Sequence, residues 1–223
     1  MNMDLPESYT YWNKSRKKEA YIENGILKLC TSEIYKKVIR ELAYILNGSK
    51  HYCVYCNKSI QNNKATLDHV YPQFLGGPTI TNNLVPSCQN CNSEKSDFTK
   101  DEFIEYLCLR HKNRQKAKEF RSIANLQKEC LHKSHKYEIP DEWLSHKEIS
   151  KIYVQFSIVD FSTERHKYTR IVEFYNQYGY FQKPIIVDKN GFLLDGFYTI
   201  LYAKNNNITE IPVIQLDNVE VIH

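Results

Sequence analysis

Apolar residues recur at helical spacing in only part of this chain; elsewhere they cluster in short runs broken by turn residues. The first fifty residues read as mostly helical, because Ile34, Tyr35, Val38, Ile39, Leu42, Ile45 and Leu46 fall three and four apart. Ser32 is placed to cap that helix, and Asn47-Gly48 to stop it in a left-handed turn. Residues 51–97 lose the period and are punctuated by Asn62-Asn63, Gly76-Gly77-Pro78 and Asn82-Asn83. A second helical region starts near Lys100, with Phe103, Ile104, Leu107 and Leu109 on or near one face, and continues in pieces to about Cys130. Residues 131–141 are polar, contain Pro140 and read as a linker.

The pattern then changes. Residues 152–156 predict a strand, 165–178 a helix closed by Gly179, and 184–187 and 192–195 two strands joined by a turn over 188–191. A helix over 197–205 and a last strand over 211–216 follow. The fold class is therefore α+β, in four parts. These are an N-terminal helical region (1–50), a turn-rich cysteine module (51–112), a helical connector and linker (113–150) and a mixed α/β unit (151–223).

Composition bounds this picture without changing it. A chain of 223 residues with 42% hydrophobic content has enough apolar material for a buried core. No apolar run approaches the roughly eighteen residues of a membrane span. The first residues lack the apolar stretch of a secretory signal, so a cytoplasmic protein with no membrane partner is expected. The net charge of +4 is too small to argue for nucleic acid by itself. Local clusters say more: Lys14 with Arg16, Lys17 and Lys18; Lys36-Lys37 with Arg40; and Arg114, Lys116, Lys118 and Arg121. Each either sits over phosphates or forms a solvated face.

Seven cysteines in a reducing compartment favour metal over disulfides. Four form two C-x2-C pairs, Cys53/Cys56 and Cys88/Cys91, thirty-one residues apart. Two such pairs complete a tetrahedral zinc shell with no open position, so the metal is expected to be structural Zn2+. A segment this short and polar cannot hold its shape by core burial, and a metal cross-link supplies the missing folding energy. Cys30, Cys108 and Cys130 are left over and read as buried, reduced core cysteines. His132 and His135, in the expected linker without further ligands, read as surface residues.

Between the cysteine pairs stands Asp68-His69, and Asn92 follows Cys91. An imidazole titrates near neutral pH and suits a general base that activates water. Asp68 and Asn92 offer a carboxylate and an amide oxygen, the donor type that a hard Mg2+ or Mn2+ ion prefers. Such an ion would serve as Lewis acid and stabilise the leaving group. Lys95, one turn after Asn92, is placed to reach a substrate phosphate.

The run Leu67-Asp68-His69-Val70-Tyr71-Pro72, Gly76-Gly77, Asn82-Asn83-Leu84-Val85-Pro86 and Cys88-x2-Cys91-Asn92-x2-Lys95 resembles the HNH endonucleases, in the zinc-stabilised branch. The likeness spans about residues 50–98. It implies a β-hairpin followed by a helix (ββα-metal), with His69 ending the first strand and Asn92 on the helix. It also implies that Asn83 ties the intervening loop to the His69 strand. The activity implied is metal-dependent hydrolysis of phosphodiesters in DNA.

Residues 151–216 resemble the ParB/sulfiredoxin-like fold through Lys183-Pro184-Ile185-Ile186-Val187, Asp188 to Gly191, Leu194-Asp195-Gly196 and Ile211 to Leu216. Where many members of that fold carry His and Arg after Asp-Gly, this chain has Phe197-Tyr198-Thr199, without a cationic fork for phosphate. The unit is either a packed scaffold or an accessory recognition element, and Asp195 is its polar residue of interest. Two other functions stay open for the whole chain: a non-catalytic zinc-knuckle nucleic-acid adaptor, and a defence nuclease gated by a nucleotide.

Overall fold

The computed structural model describes residues 1–48, 52–60, 65–155 and 161–222, and its chain opens in strands rather than helix. Strands β1 (Thr10–Trp12), β2 (Lys18–Glu23) and β3 (Ile26–Leu29) form an antiparallel meander. Asn24 and Gly25 connect the last two at φ 51° and 72°. A two-residue hairpin turn with both residues at positive φ matches the right-handed twist of its strands, and Asn-Gly is the sequence that tolerates it best. The expected N-terminal helical region is thus reduced to one helix, α1 (Tyr35–Leu46), entered through a 3-10 turn at Ser32–Ile34. Ser32 lies inside that turn, and no side chain caps either piece. Tyr35, Val38, Ile39, Leu42 and Ala43 form the buried stripe of α1, and Gly48 follows it at φ 67°.

Strands β4 (Ala65–His69) and β5 (Leu84–Cys88) pair antiparallel, from Ala65 opposite Cys88 to His69 opposite Leu84. The short helix α2 (Gln89–Lys95) packs across them. The loop between the strands doubles back through Gly76 and Gly77. A Cβ on Gly77 would lie 1.8 Å from the Tyr71 carbonyl oxygen, so only glycine lets the loop close there. Helix α3 (Lys100–Lys112) starts in a capping box between Thr99 and Glu102. Helix α4 (Arg114–Lys133) runs on into the segment expected as linker. His132 is consequently a core residue, 1% exposed, and not a surface one. Its Nδ1 meets the Tyr180 hydroxyl at 2.7 Å, among the rings of Phe74, Phe174 and Tyr178. His135 stacks on Tyr180.

The last part contains β6 (Ser145–Glu148), α5 (Phe161–Tyr178), β7 (Ile185–Asp188), β8 (Leu193–Asp195), α6 (Phe197–Asn205) and β9 (Glu210–Leu216). The sheet order is β6-β9-β7-β8, with β7 parallel to β9 and the other neighbours antiparallel. The strand expected over 152–156 is only an isolated bridge from Tyr153 to Phe192, and its last residue lies outside the described ones. The turn expected at Asn62-Asn63 also lies outside them. Strand β10 (Val219–Val221) leaves this sheet and pairs in parallel with β3, giving the order β1-β2-β3-β10.

One apolar cluster joins these layers. Leu27 and Val38 pack with Ile80 and Leu84 beside the hairpin and with Ile186, Ile214 and Val219. A smaller cluster of Ile60, Phe98, Phe103 and Ala124 surrounds Cys53 and Cys91. The remaining cysteines do not join a core: Cys30 is half-buried, and Cys108 and Cys130 are exposed on the solvent sides of α3 and α4. Among the described residues no helix is long and apolar enough to cross a membrane.

Candidate metal centre and active site

The four paired cysteines converge. Their Sγ atoms all lie within 4.8 Å of one another, and Cys56 and Cys88 are 3.9 Å apart. Zinc–sulfur bonds near 2.3 Å give a tetrahedron with edges of about 3.8 Å, so the site fits zinc. Local structure aims each pair. Cys53 and Cys56 flank a tight turn closed by Asn57 N–H on the Cys53 carbonyl, 2.9 Å. Cys88 ends β5 and caps α2 with its sulfur, accepting from Cys91 N–H at 3.4 Å. Among the described residues this is the sole group of three or more His, Cys, Asp or Glu side chains close enough to share a metal.

Strand alternation sends neighbouring residues of β4 to opposite faces. Thr66 and Asp68 face α2. Asn92 donates from Nδ2 to Thr66 Oγ1 at 2.9 Å, and Asp68 is 5% exposed. The Asp68 carboxylate accepts from the Tyr55 hydroxyl and is paired with Lys95, whose Nζ lies 3.2 Å from Oδ2 and 3.3 Å from Oδ1. Lys95, expected at a phosphate, is therefore turned inward and 1% exposed, and it also donates to the His69 carbonyl at 2.8 Å. Burial raises the pKa of Asp68 and lowers that of Lys95, while the pairing opposes both shifts. With its charge already met by an ammonium, Asp68 does not offer Asn92 an open oxygen shell, and the two do not fit a hard divalent ion as arranged. Lys95→Met should strand a buried carboxylate and cost about 3–5 kcal/mol, read from denaturant unfolding.

Asn83 is fully buried and closes the loop. Its side chain accepts from Tyr71 N–H at 2.8 Å and donates to the Tyr71 and Pro78 carbonyls at 3.1 and 2.8 Å. These bonds hold the chain that leaves β4 directly after His69.

His69 points the other way, into contact with residues the sequence reading did not single out. Its Nε2 is 3.1 Å from Thr79 Oγ1 and 3.1 Å from Gln73 Nε2. Lys183 Nζ donates to Gln73 Oε1 at 3.3 Å. A lysine can only donate, so Gln73 must turn its amide nitrogen toward the imidazole, which accepts at Nε2 and carries its proton on Nδ1. Burial, then the charges of Lys183, Lys95 and Arg40, push the His69 pKa down to about 4, against a smaller opposing effect of Asp195. The ring is therefore neutral at physiological pH, with its unprotonated nitrogen between Gln73 and Thr79. Gln73 follows Pro72 directly and was legible as part of that run. Lys183, 114 positions beyond His69, was legible only as the start of the run before β7, with nothing to tie it to His69. Asp195 forms an ion pair with Lys36 at 2.7 Å.

A two-stranded hairpin with a helix laid across it is marginal unless something fastens it. Here four cysteines spanning a turn, a strand end and a helix start could hold a zinc ion that fastens the hairpin to the helix. Residues 53–108 match the family model described as HNH endonuclease, so that stretch of the chain is similar to the HNH endonucleases. A search of curated proteins finds no match.

Proposed function

We propose that the protein is a nuclease in which His69 is the general base for phosphodiester hydrolysis, with DNA as the first substrate to test. The observation that carries this is the position of His69 at the end of β4, its Nε2 3.1 Å from Gln73 and from Thr79, so that a water displacing the Gln73 amide meets the ring's lone pair. Nε2 takes a proton from water, the hydroxide oxygen bonds to phosphorus, and the P–O bond to the leaving oxygen breaks. That oxygen then takes a proton from solvent. Lys183 and Arg40, two of the cations whose charge acts on the ring, favour the negative charge that grows on the phosphoryl oxygens. Zinc on Cys53, Cys56, Cys88 and Cys91 holds hairpin to helix and takes no part in bond breaking. Asn83 and the Asp68–Lys95 pair position the strand. No step is assigned to a Mg2+ or Mn2+ ion on Asp68 and Asn92, because Lys95 already neutralises Asp68.

That same pairing favours a second reading, a zinc-knuckle adaptor that binds nucleic acid without cutting it. Incubating the zinc-loaded protein with plasmid and oligonucleotides, in Mg2+, in Mn2+ and in EDTA, separates the two. Strand breaks support the nuclease, and their dependence on EDTA tells whether a divalent ion is needed. Binding without breaks under every condition supports the adaptor.

A further inference from the structure

A cleft of about 640 Å³ opens beside His69. Gln73 and Thr79, the two side chains on His69 Nε2, form part of its wall. The rest comes from distant parts of the chain: Lys36 and Arg40 on α1, Lys167 and Arg170 on α5, and Lys183 before β7. Against these five cations the lining holds one acid, Asp195, which is already paired with Lys36. Arg40 and Arg170 are exposed and have no ion-pair or hydrogen-bond partner among the described residues. Arg40 and Arg170 therefore add positive charge to the cleft, and an anion seated beside them is favoured. Gln73 and Thr79 reach from the cleft wall to His69 Nε2 at 3.1 Å each, so an anion held in the cleft lies one side chain away from the base.

Size and lining narrow the anion. The volume lies within the range of about 300–1,000 Å³ found for small-ligand pockets, which admits a short piece of unpaired strand but not a duplex. Aromatic faces accompany the charges: Phe74, 37% exposed, with Phe174 and Phe197. A basic track with aromatic platforms is how unpaired nucleic acid is held without sequence readout, phosphates on the cations and bases on the rings.

We propose that this cleft seats an unpaired polynucleotide strand, with Arg40 and Arg170 on its phosphates, and that single-stranded nucleic acid is the substrate class. The assignment of a cutting position rests on His69 acting as the base; the binding does not. The test uses full-length, zinc-loaded His69→Ala protein, which keeps the strand intact, and fluorescein-labelled 12-mers of DNA and RNA read by anisotropy over a salt series. Both unpaired 12-mers should bind at least about tenfold more tightly than the duplex form, since only they enter the cleft; the tighter of the two names the sugar. Adding Arg40→Ala and Arg170→Ala should weaken binding tenfold or more. Loss of two phosphate contacts should lower the slope of log affinity against log salt by about 1.4, at roughly 0.7 per contact on a single strand. Phe74→Ala should weaken binding while leaving that slope unchanged. Duplex bound as tightly as single strand, arginine variants that bind as before, or saturable binding of ATP or CTP without strand binding would each overturn the proposal. The two readings fail separately. Breaks made equally well by the arginine variants remove the cleft assignment and leave the nuclease. Tight single-strand binding by a wild-type protein that never cuts does the reverse.

Discussion

His69→Ala lowers the cleavage rate at saturating substrate by about 10²–10⁴-fold, the contribution typical of a positioned general base. The loss falls on the chemical step because the ring has little structural duty. Its contacts at Nε2, to Gln73 and Thr79, belong to side chains that lie next to solvent or to the cleft, and it is not among the zinc ligands. Zinc stoichiometry and the thermal melt of the variant therefore stay at wild-type values. Binding of substrate also stays, since the cations that favour phosphate are elsewhere. Atomic absorption, a melting curve and single-turnover kinetics on the same preparation read all three. Cleavage at an undiminished rate would remove the imidazole from the mechanism and pass the role to another group.

Cys53→Ser has the other large effect, and it is structural. Cys53 is 1% exposed and sits in the small cluster with Ile60, Phe98 and Phe103. That cluster is too small to fix a two-stranded hairpin and a seven-residue helix without help. Structural zinc in finger-type peptides contributes roughly 10–16 kcal/mol of apparent binding energy at neutral pH, which there is folding energy. Losing one of four thiolates should drop zinc content from one per chain to near zero. Hydrogen exchange should then show lost protection across β4, β5 and α2, with cleavage lost as a result. Cys108→Ser, on the exposed side of α3, is the matched control and should change nothing. Full zinc occupancy in Cys53→Ser would mean that the tetrad is not the metal site.

The local parts of this fold were readable from sequence. Helix α6 has the bounds expected of it, and β7 and β9 lie within a residue or so of theirs, because short apolar runs bounded by Gly, Asn and Asp are strong local signals. The N-terminal strands were missed although a signal was present. Asn24-Gly25 sits between Lys18–Glu23 and Ile26–Leu29, and positive φ at both turn residues is what that dipeptide is suited for. The helical period of 34–46 was extended backwards over residues that do not share it. His132 was misjudged for a related reason: α4 continues past the point where its sequence turns polar, and its aromatic neighbours come from the β4–β5 loop, α5 and the residues after it. In the site, the cysteine tetrad, Asp68, His69, Asn83 and Asn92 were all visible in one short stretch. The inward turn of Lys95 and the Lys183–Gln73–His69 chain were not, because both depend on how separate segments pack.

The pairing of β10 with β3 brings Val219 opposite Leu27, a separation of 192 positions. While the ribosome is still making the chain, β3 has its hairpin partner on one side and a bare edge on the other. Bare edges recruit strands from neighbouring molecules, and a charge in mid-strand is the usual deterrent. Lys28 occupies that position and later finds Glu220 across the completed pair at 2.7 Å. The same lysine thus guards a vulnerable nascent edge and then fastens the strand that covers it.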